Sequence, residues 1–192
     1  MVASWRPATV LDLATGSGDL ALAIERALPE AQVTGADFCE PMLERARAKG
    51  LRNTIVADAM HLPFPDASFD AVTVAFGLRN MESWPGALSE MARVLAPGGN
   101  LLVLDFSLPR APILRSSYRF YLHRILPVIA GLVTREKSAY EYLAGSIEKF
   151  PSGQAMLDLL ASRGLVSAEC HPLTGGIVSL YTAATGRTGN TP

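Results

Sequence analysis

Asp12, Gly16, Gly18 and Asp37 carry the first chemical signal in the chain. The stretch VLDLATGSGDLAL, Val10 to Leu22, opens with apolar positions that read as a buried strand. It breaks at Thr15-Gly16-Ser17-Gly18 and continues into helix-forming residues from Asp19. Glycine tolerates a positive φ and leaves room for a ligand, and the helix behind it aims its free N–H groups and positive dipole end at the same spot. Strand, glycine turn and helix in this order form the opening of a nucleotide-cofactor site. Gly16 to Ala21 satisfies the dinucleotide fingerprint G-x-G-x-x-G/A, with Asp37 about 20 residues on for a ribose hydroxyl. Asp12, four residues before Gly16, argues the other way. Its carboxylate would repel a pyrophosphate and welcome a nucleoside carrying a cationic sulfonium and an amino-acid tail.

Alternating strands and helices must hold these groups. A helix from Asp19 to Leu28 stops at Pro29, and a strand from Gln32 to Ala36 leads into Asp37. Glu40-Pro41 opens a helix that Gly50 ends, and a third strand, Thr54 to Ala57, leads into Asp58. Asp12, Asp37 and Asp58 therefore fall along the carboxyl edge of a parallel sheet, where ligands of open α/β sheets bind. Leu62 to Asp66 reads as a stiff loop, and Phe69 to Ala75 as a strand running into Phe76-Gly77-Leu78-Arg79-Asn80. A helix near Ser83 to Ala96 carries a core stripe of Trp84, Leu88, Met91 and Leu95, and Asn100 to Phe106 forms a strand finishing near Asp105.

From Phe106 to Arg135 there is no acidic residue, while Arg110, Arg115, Arg119 and Arg124 alternate with leucines and tyrosines. This reads as a basic amphipathic helix broken at Pro127. It either caps a substrate pocket with its arginines in water or touches a membrane surface or a greasy substrate. A helix from Ser152 to Arg163, capped by Ser152 and closed by Gly164, precedes two strands, Val166 to Pro172 and Ile177 to Ala184. Their short join at Thr174-Gly175-Gly176 makes them antiparallel. The expected fold is α/β: a seven-stranded, mostly parallel sheet with the last strand antiparallel and helices on both faces. The expected organisation is one domain over 1–192 with a helical insertion at about 108–150.

At 192 residues and a formal net charge of −1, the chain offers no electrostatic reason for a nucleic-acid partner. Cys39 and Cys170 are too few and too distant for a disulfide framework, and His61, His123 and His171 lack metal-ligand spacing, so no metal is expected. The opening residues lack the apolar core of a signal peptide, and no apolar run reaches the roughly 20 residues that span a bilayer. The expected location is the cytoplasm, with peripheral contact at a membrane through the basic stretch.

The pattern D-x-x-x-G-x-G resembles motif I of the S-adenosylmethionine-dependent methyltransferases. FGLRN at 76–80, YEYLAGSI at 140–147, FPS at 150–152 and LTGGIV at 173–178 are more specific. With them the chain, from Val10 to Ala183, resembles the menaquinone and ubiquinone biosynthesis C-methyltransferases, the UbiE family. The resemblance implies the class I methyltransferase fold and C-methylation of a polyprenyl quinol, either demethylmenaquinol or a benzoquinol, with S-adenosyl-L-methionine as cofactor. It implies that Asp12, Gly16, Ser17, Gly18, Asp37 and Phe38 hold the cofactor and that Asp58 and Ala59 flank its adenine. Ala75 stands where the family often has a serine that reaches the cofactor. Two positions depart from the family's second signature: Ala96 replaces the usual lysine and Asp105 the usual glutamate. Eleven residues precede Asp12, where the family has a helical, tyrosine-rich cover, so a shortened chain with an open site, or a site completed by pairing with a second copy, is expected.

Methylation at a ring carbon requires the neighbouring ring hydroxyl to lose its proton. Arg79, a permanent cation with a planar fork of donors, is suited to the phenolate, and Asn80 to the second ring oxygen. Asp105 or His123 would take the proton through water, with Asp105 preferred for its place at a strand end. A salt bridge from Arg79 to Glu82 is the structural alternative. Methylation of a soluble molecule at oxygen or nitrogen, and a non-catalytic partner in a quinone-synthesis complex, are the alternative functions.

Overall fold

The computed structural model describes residues 1–109, 111–121 and 137–187. Among these, seven strands form one sheet: β1 Thr9–Leu13, β2 Gln32–Asp37, β3 Asn53–Val56, β4 Phe69–Ala75, β5 Leu95–Phe106, β6 Leu165–Leu173 and β7 Val178–Thr185. Their order is β3-β2-β1-β4-β5-β7-β6, with β7 antiparallel to both neighbours and the other pairings parallel. Continuous apolar runs make the central strands. Val10, Leu11 and Leu13 of β1 and Val72 and Val74 of β4 are 0–1% exposed, as strands covered on both faces must be.

Side-chain alternation sends these residues to two cores. Val10 and Ala71 pack with Ala21 and Ile24 of α2 (Asp19–Ala27) and Ala46 of α3 (Glu40–Ala48). Leu11, Leu13, Val72 and Val74 pack with Leu88 and Met91 of α4 (Trp84–Val94) and with Met156 and Leu160 near the chain's end. The strand order reverses between β1 and β4, because the chain runs outward through β2 and β3, then returns to β4 and leaves through β5 on the other side. That reversal opens a crevice at the carboxyl ends of these strands. Arg93, on α4, fixes the loop leading into β4, donating to the carbonyls of Leu62 and Phe64 and pairing with Glu90 and Asp66.

Several boundaries differ from those expected. The α4 helix ends at Val94, not Ala96, because Leu95 already has extended geometry (φ −73°, ψ 134°) and pairs with Phe69, so β5 begins five residues early. Ser152 does not cap the next helix. The helix Gln154–Ser162 starts behind Gly153 (φ 60°, ψ −126°), which has no side chain to cap with and donates its N–H to the Tyr181 hydroxyl at 2.8 Å. A short helix α1, Val2–Trp5, packs on the α2 side.

Within the expected basic helix, β5 runs to Phe106, and helix α5 is confined to Pro112–Phe120. Two of its arginines are tied down. Arg115 Nε donates to the Pro109 carbonyl at 2.9 Å, and Arg119 pairs with Glu148 at 2.8 Å. Glu148 belongs to helix α6, Lys137–Lys149, whose Ala144 and Ile147 pack against Phe106, Leu108 and Tyr118. Arg110, His123, Arg124 and the break at Pro127 lie outside the described residues. The helix Gln154–Ser162 is α7. Among the described residues no helix is long and apolar enough to cross a membrane.

Candidate active site

The turn after β1 is built by its neighbours. Ala14 leaves the strand at φ 52°, Thr15 N–H donates to the Ala36 carbonyl at 3.0 Å, and Gly16 sits at φ 56°, a region costly for side-chain-bearing residues. Asp37, the last residue of β2, fixes the turn from across the strand gap. One oxygen accepts from Gly16 N–H at 2.8 Å and the other from Cys39 N–H at 2.9 Å.

Gly18 serves packing: a Cβ there would lie 2.9 Å from the Ala46 Cβ, so its lack lets α2 and α3 meet. Ser17 bonds Asp19 and Lys49 at the surface. Neither Ser17 nor Gly18 lines the cleft described below.

Asp12 corrects an expectation. It is 1% exposed, beneath the turn, and its oxygens accept from Thr15 Oγ1 and Thr73 Oγ1 at 2.6 Å each. Thr73 stands opposite it in register on β4. A carboxylate so enclosed braces two strands and a turn and does not receive a ligand. Burial pushes its pKa to about 6, against the hydroxyl bonds that favour the charge. A folded-state pKa raised above the unfolded value of 3.8 gives stability that is present below pH 4 and lost as pH rises through about 6. The loss is about 3 kcal/mol at roughly 1.4 kcal/mol per unit. Asp12→Asn, which keeps an acceptor and cannot ionise, is expected to flatten the stability profile between pH 4 and 6. Denaturant melts across that range check this, and an undiminished slope would refute it.

Above the sheet edge lies a cleft of about 580 Å³, a size suited to a nucleoside-bearing ligand. Of the residues named for the cofactor, Gly16, Asp37, Phe38, Asp58, Ala59 and Ala75 line it. Phe38 is 81% exposed at the rim, and Asp58 accepts from Met60 N–H at 2.9 Å. The reading of the sequence missed Met42, Met60 and Met81, which add adaptable apolar surface, and also Phe76 and Glu82. Met60, Met81 and Glu82 sit beside residues that were read, Met60 after Asp58-Ala59 and the other two after FGLRN. Three carboxylates, those of Asp37, Asp58 and Glu82, line this cleft, and among the described residues no Lys, Arg or His does.

The FGLRN segment leaves β4 in a tight coil. Phe76 has φ 55° and donates its N–H to the Leu104 carbonyl at 2.7 Å, after which Leu78–Asn80 form a short 3₁₀ turn. Asn80 reaches the cleft; Arg79 and Asp105 do not. The Arg79 side chain, 11% exposed, pairs with the fully buried Asp105 at 2.9 Å, and not with Glu82. Asp105 also accepts from the N–H groups of Arg79 and Phe106. Burial raises its pKa above the usual carboxylate range, with the Arg79 charge opposing. A carboxylate closed off from the cleft cannot collect a proton from a ligand there, which corrects the assignment of Asp105 as base.

The ubiE/COQ5 methyltransferase family model matches residues 1–185. The demethylmenaquinone methyltransferase of Thermus thermophilus is 46% identical over 180 residues, covering 91% of this chain and 81% of that protein. The ubiquinone/menaquinone biosynthesis C-methyltransferase UbiE of Bdellovibrio bacteriovorus is 44% identical over 178 residues, 90% of this chain and 76% of that protein. Among solved structures, an S-adenosylmethionine-dependent methyltransferase from Aquifex aeolicus superposes with a TM-score of 0.65 at 19% identity, over 92% of this chain and 81% of that one. The likeness to that structure shows a shared class I methyltransferase fold. With that fold, with relatives alike along nearly the whole described sheet, and with FGLRN standing where β4 opens into the cleft, the chain belongs to the ubiE/COQ5 methyltransferase family.

Proposed function

We propose that this protein binds S-adenosyl-L-methionine in the cleft at the carboxyl ends of β1, β2 and β4 and methylates a ring carbon of a polyprenyl quinol. The observation that carries the cofactor reading is the wall of three carboxylates, to which the described residues add no cation. A dinucleotide would bring its pyrophosphate charges against Asp37, Asp58 and Glu82, whereas a sulfonium and an ammonium are attracted by them. The donor set fits in detail too. Each Asp37 oxygen accepts one backbone N–H and keeps a lone pair for a ribose hydroxyl. Ala57, Ala59 and Met60 offer apolar surface to a base. When bound, the cofactor supplies an electrophilic methyl group on a positively charged sulfur.

The chain's own part is to orient the quinol and keep its ring against the cofactor side of the cleft. Asn80 is the polar side chain of FGLRN that lines the cleft, and we assign it to a ring oxygen. Phe76, at the same mouth, gives the ring an aromatic neighbour. The quinol assignment is supported by the names of the relatives, demethylmenaquinone methyltransferase and ubiquinone/menaquinone biosynthesis C-methyltransferase. Such a lipophilic substrate would bring the protein to a membrane surface, and α5, with Ile113 and Phe120 exposed, is the element we assign to that contact.

The deciding experiment supplies short-chain demethylmenaquinol and demethylated benzoquinol with methyl-labelled cofactor. Label in a ring carbon of either supports the reading, and which ring accepts it sets the substrate. Binding of S-adenosylhomocysteine without label in either ring overturns the quinol assignment and leaves the cofactor assignment standing.

A further inference from the structure

Arg79 is the most polar side chain of the FGLRN segment, yet its guanidinium is turned away from the cleft. Asp105, at 0% exposure, holds it by Nη1 at 2.9 Å and accepts the Arg79 backbone N–H at 3.2 Å as well. The same Nη1 donates to the Phe76 carbonyl, three residues back, closing the coil on itself. The guanidinium carbon stands 5.1 Å from the centroid of the Phe106 ring, and that ring lies 4.9 Å from the ring of Phe76. Nε is buried and has no hydrogen-bond partner among the described residues, so this edge of the fork faces packed protein and not solvent.

The two ends of the closed coil do face the cleft. Phe76 and Asn80 line it, and Phe76 holds a φ of 55° that a side-chain-bearing residue adopts only when its surroundings impose it. Those surroundings are the Arg79 bond to its carbonyl and the Phe106 ring beside it. Asn80 has weaker ties of its own, near 3.5 Å, to the Phe76 carbonyl and the Tyr142 hydroxyl. Its place therefore depends on the backbone that Arg79 fastens.

We propose that Arg79 and Asp105 form a positioning pair, buried beneath the site, that acts on the reaction through Phe76 and Asn80 and never touches the substrate. The kinetic part of the test rests on the quinol methylation proposed above; the spectroscopic part does not.

In the full chain, Arg79→Gln is expected to lower kcat about 100-fold, the scale on which a reacting partner displaced by an ångström loses rate. In an Asn80→Ala background the same substitution should cost no more than about tenfold, because one of the two groups it positions is gone and only Phe76 remains. Arg79→Lys, which keeps a cation, should leave the midpoint of the kcat–pH profile in place. A full loss in the Asn80→Ala background, with the midpoint moved upward in Arg79→Gln, would mean that Arg79 itself holds the ring anion and would overturn the proposal. The second measurement needs no substrate. The side-chain amide NMR signals of Asn80, identified by their disappearance in Asn80→Ala, should shift and broaden alike in Arg79→Gln and Asp105→Asn. Signals unchanged in both variants, each folded by thermal melt, overturn the pair's role whatever the protein methylates. Wild-type protein that labels no quinol ring defeats the function reading alone.

Discussion

Gly77→Ala is expected to lower the melting temperature by about 2–12 °C and methyl transfer by 100-fold or more, although it adds one methyl group. Gly77 has an ordinary right-handed backbone (φ −106°, ψ −38°), so conformational freedom does not explain the glycine; space does. A Cβ built there falls 2.4 Å from the Cβ of Ala14 and 3.4 Å from Val74 Cγ2. Carbon atoms pack best at about 3.5–4.0 Å, so the two segments must separate by more than an ångström. Both are already set: Ala14 follows β1 at φ 52°, and Gly77 follows Phe76 at φ 55°. Overpacking of this kind destabilises by about 1–3 kcal/mol, and for a chain of this size each kilocalorie moves the melting point by about 2–4 °C. Activity should fall further than stability, because the displaced residues, Ala14, Phe76 and Asn80, line the cleft.

Ala14→Gly removes the opposing methyl group and also suits the positive φ, so Gly77→Ala with Ala14→Gly should recover most of the melting temperature. Thermal denaturation and turnover of the three variants decide the matter. A Gly77→Ala protein that melts within 1 °C of wild type and turns over within twofold would show that the contact is not tight.

Why was Gly77 silent in the sequence while Gly16 and Gly18 were conspicuous? Gly16 and Gly18 sit in a local turn, where strand, glycines and helix follow one another and the chain's own periodicity announces the break. Gly77 owes its identity to Ala14, 63 residues away, through the adjacency of β1 and β4. That adjacency follows from the strand order, which no local pattern carries. The same long-range pairing governed the acids. Asp12, Asp37 and Asp58 all fall at or beside strand ends, as the alternation of elements implies. But Asp12 is one residue short of its strand's end and faces Thr73 across the β1–β4 pair, so it is buried, while Asp37 is the last residue of β2 and reaches the cleft. A shift of one position thus separates a buried brace from a wall of the site. Arg79 shows the limit for chemistry: its type suits anion binding, but Asp105 arrives from β5, the neighbour of β4, and takes the guanidinium out of the cleft. The seven strands and their sense, in contrast, were legible because apolar runs and glycine joins are local features.

Asp37→Ala should be the most damaging substitution for cofactor affinity, weakening binding of S-adenosylhomocysteine about 100-fold. The carboxylate has two tasks. Its bonds to Gly16 N–H and Cys39 N–H hold the glycine turn against the start of α3, and its remaining lone pairs face the cleft. Hydrogen bonds to a charged group are worth about 1.5–3 kcal/mol, and alanine leaves the Gly16 N–H unpaired as well. Since about 1.4 kcal/mol is tenfold in affinity, loss of the proposed ribose contact and of the preset turn together reach two decades. Asp37→Asn retains one acceptor for Gly16 but would set an amide N–H against the Cys39 N–H, so its loss should be intermediate. Asp19→Ala is the matched control: an acid in the first turn of α2, with its side chain 77% exposed, paired with Lys49 at 2.8 Å and absent from the cleft wall. Its removal sacrifices a surface ion pair of small worth and should change affinity by less than about threefold. Calorimetric titration of the three variants with S-adenosylhomocysteine, in parallel with NAD, gives the answer. If Asp19→Ala weakens binding as much as Asp37→Ala does, the ligand is not held at the end of β2. If NAD binds more tightly than S-adenosylhomocysteine, the three carboxylates do not select the cofactor by charge.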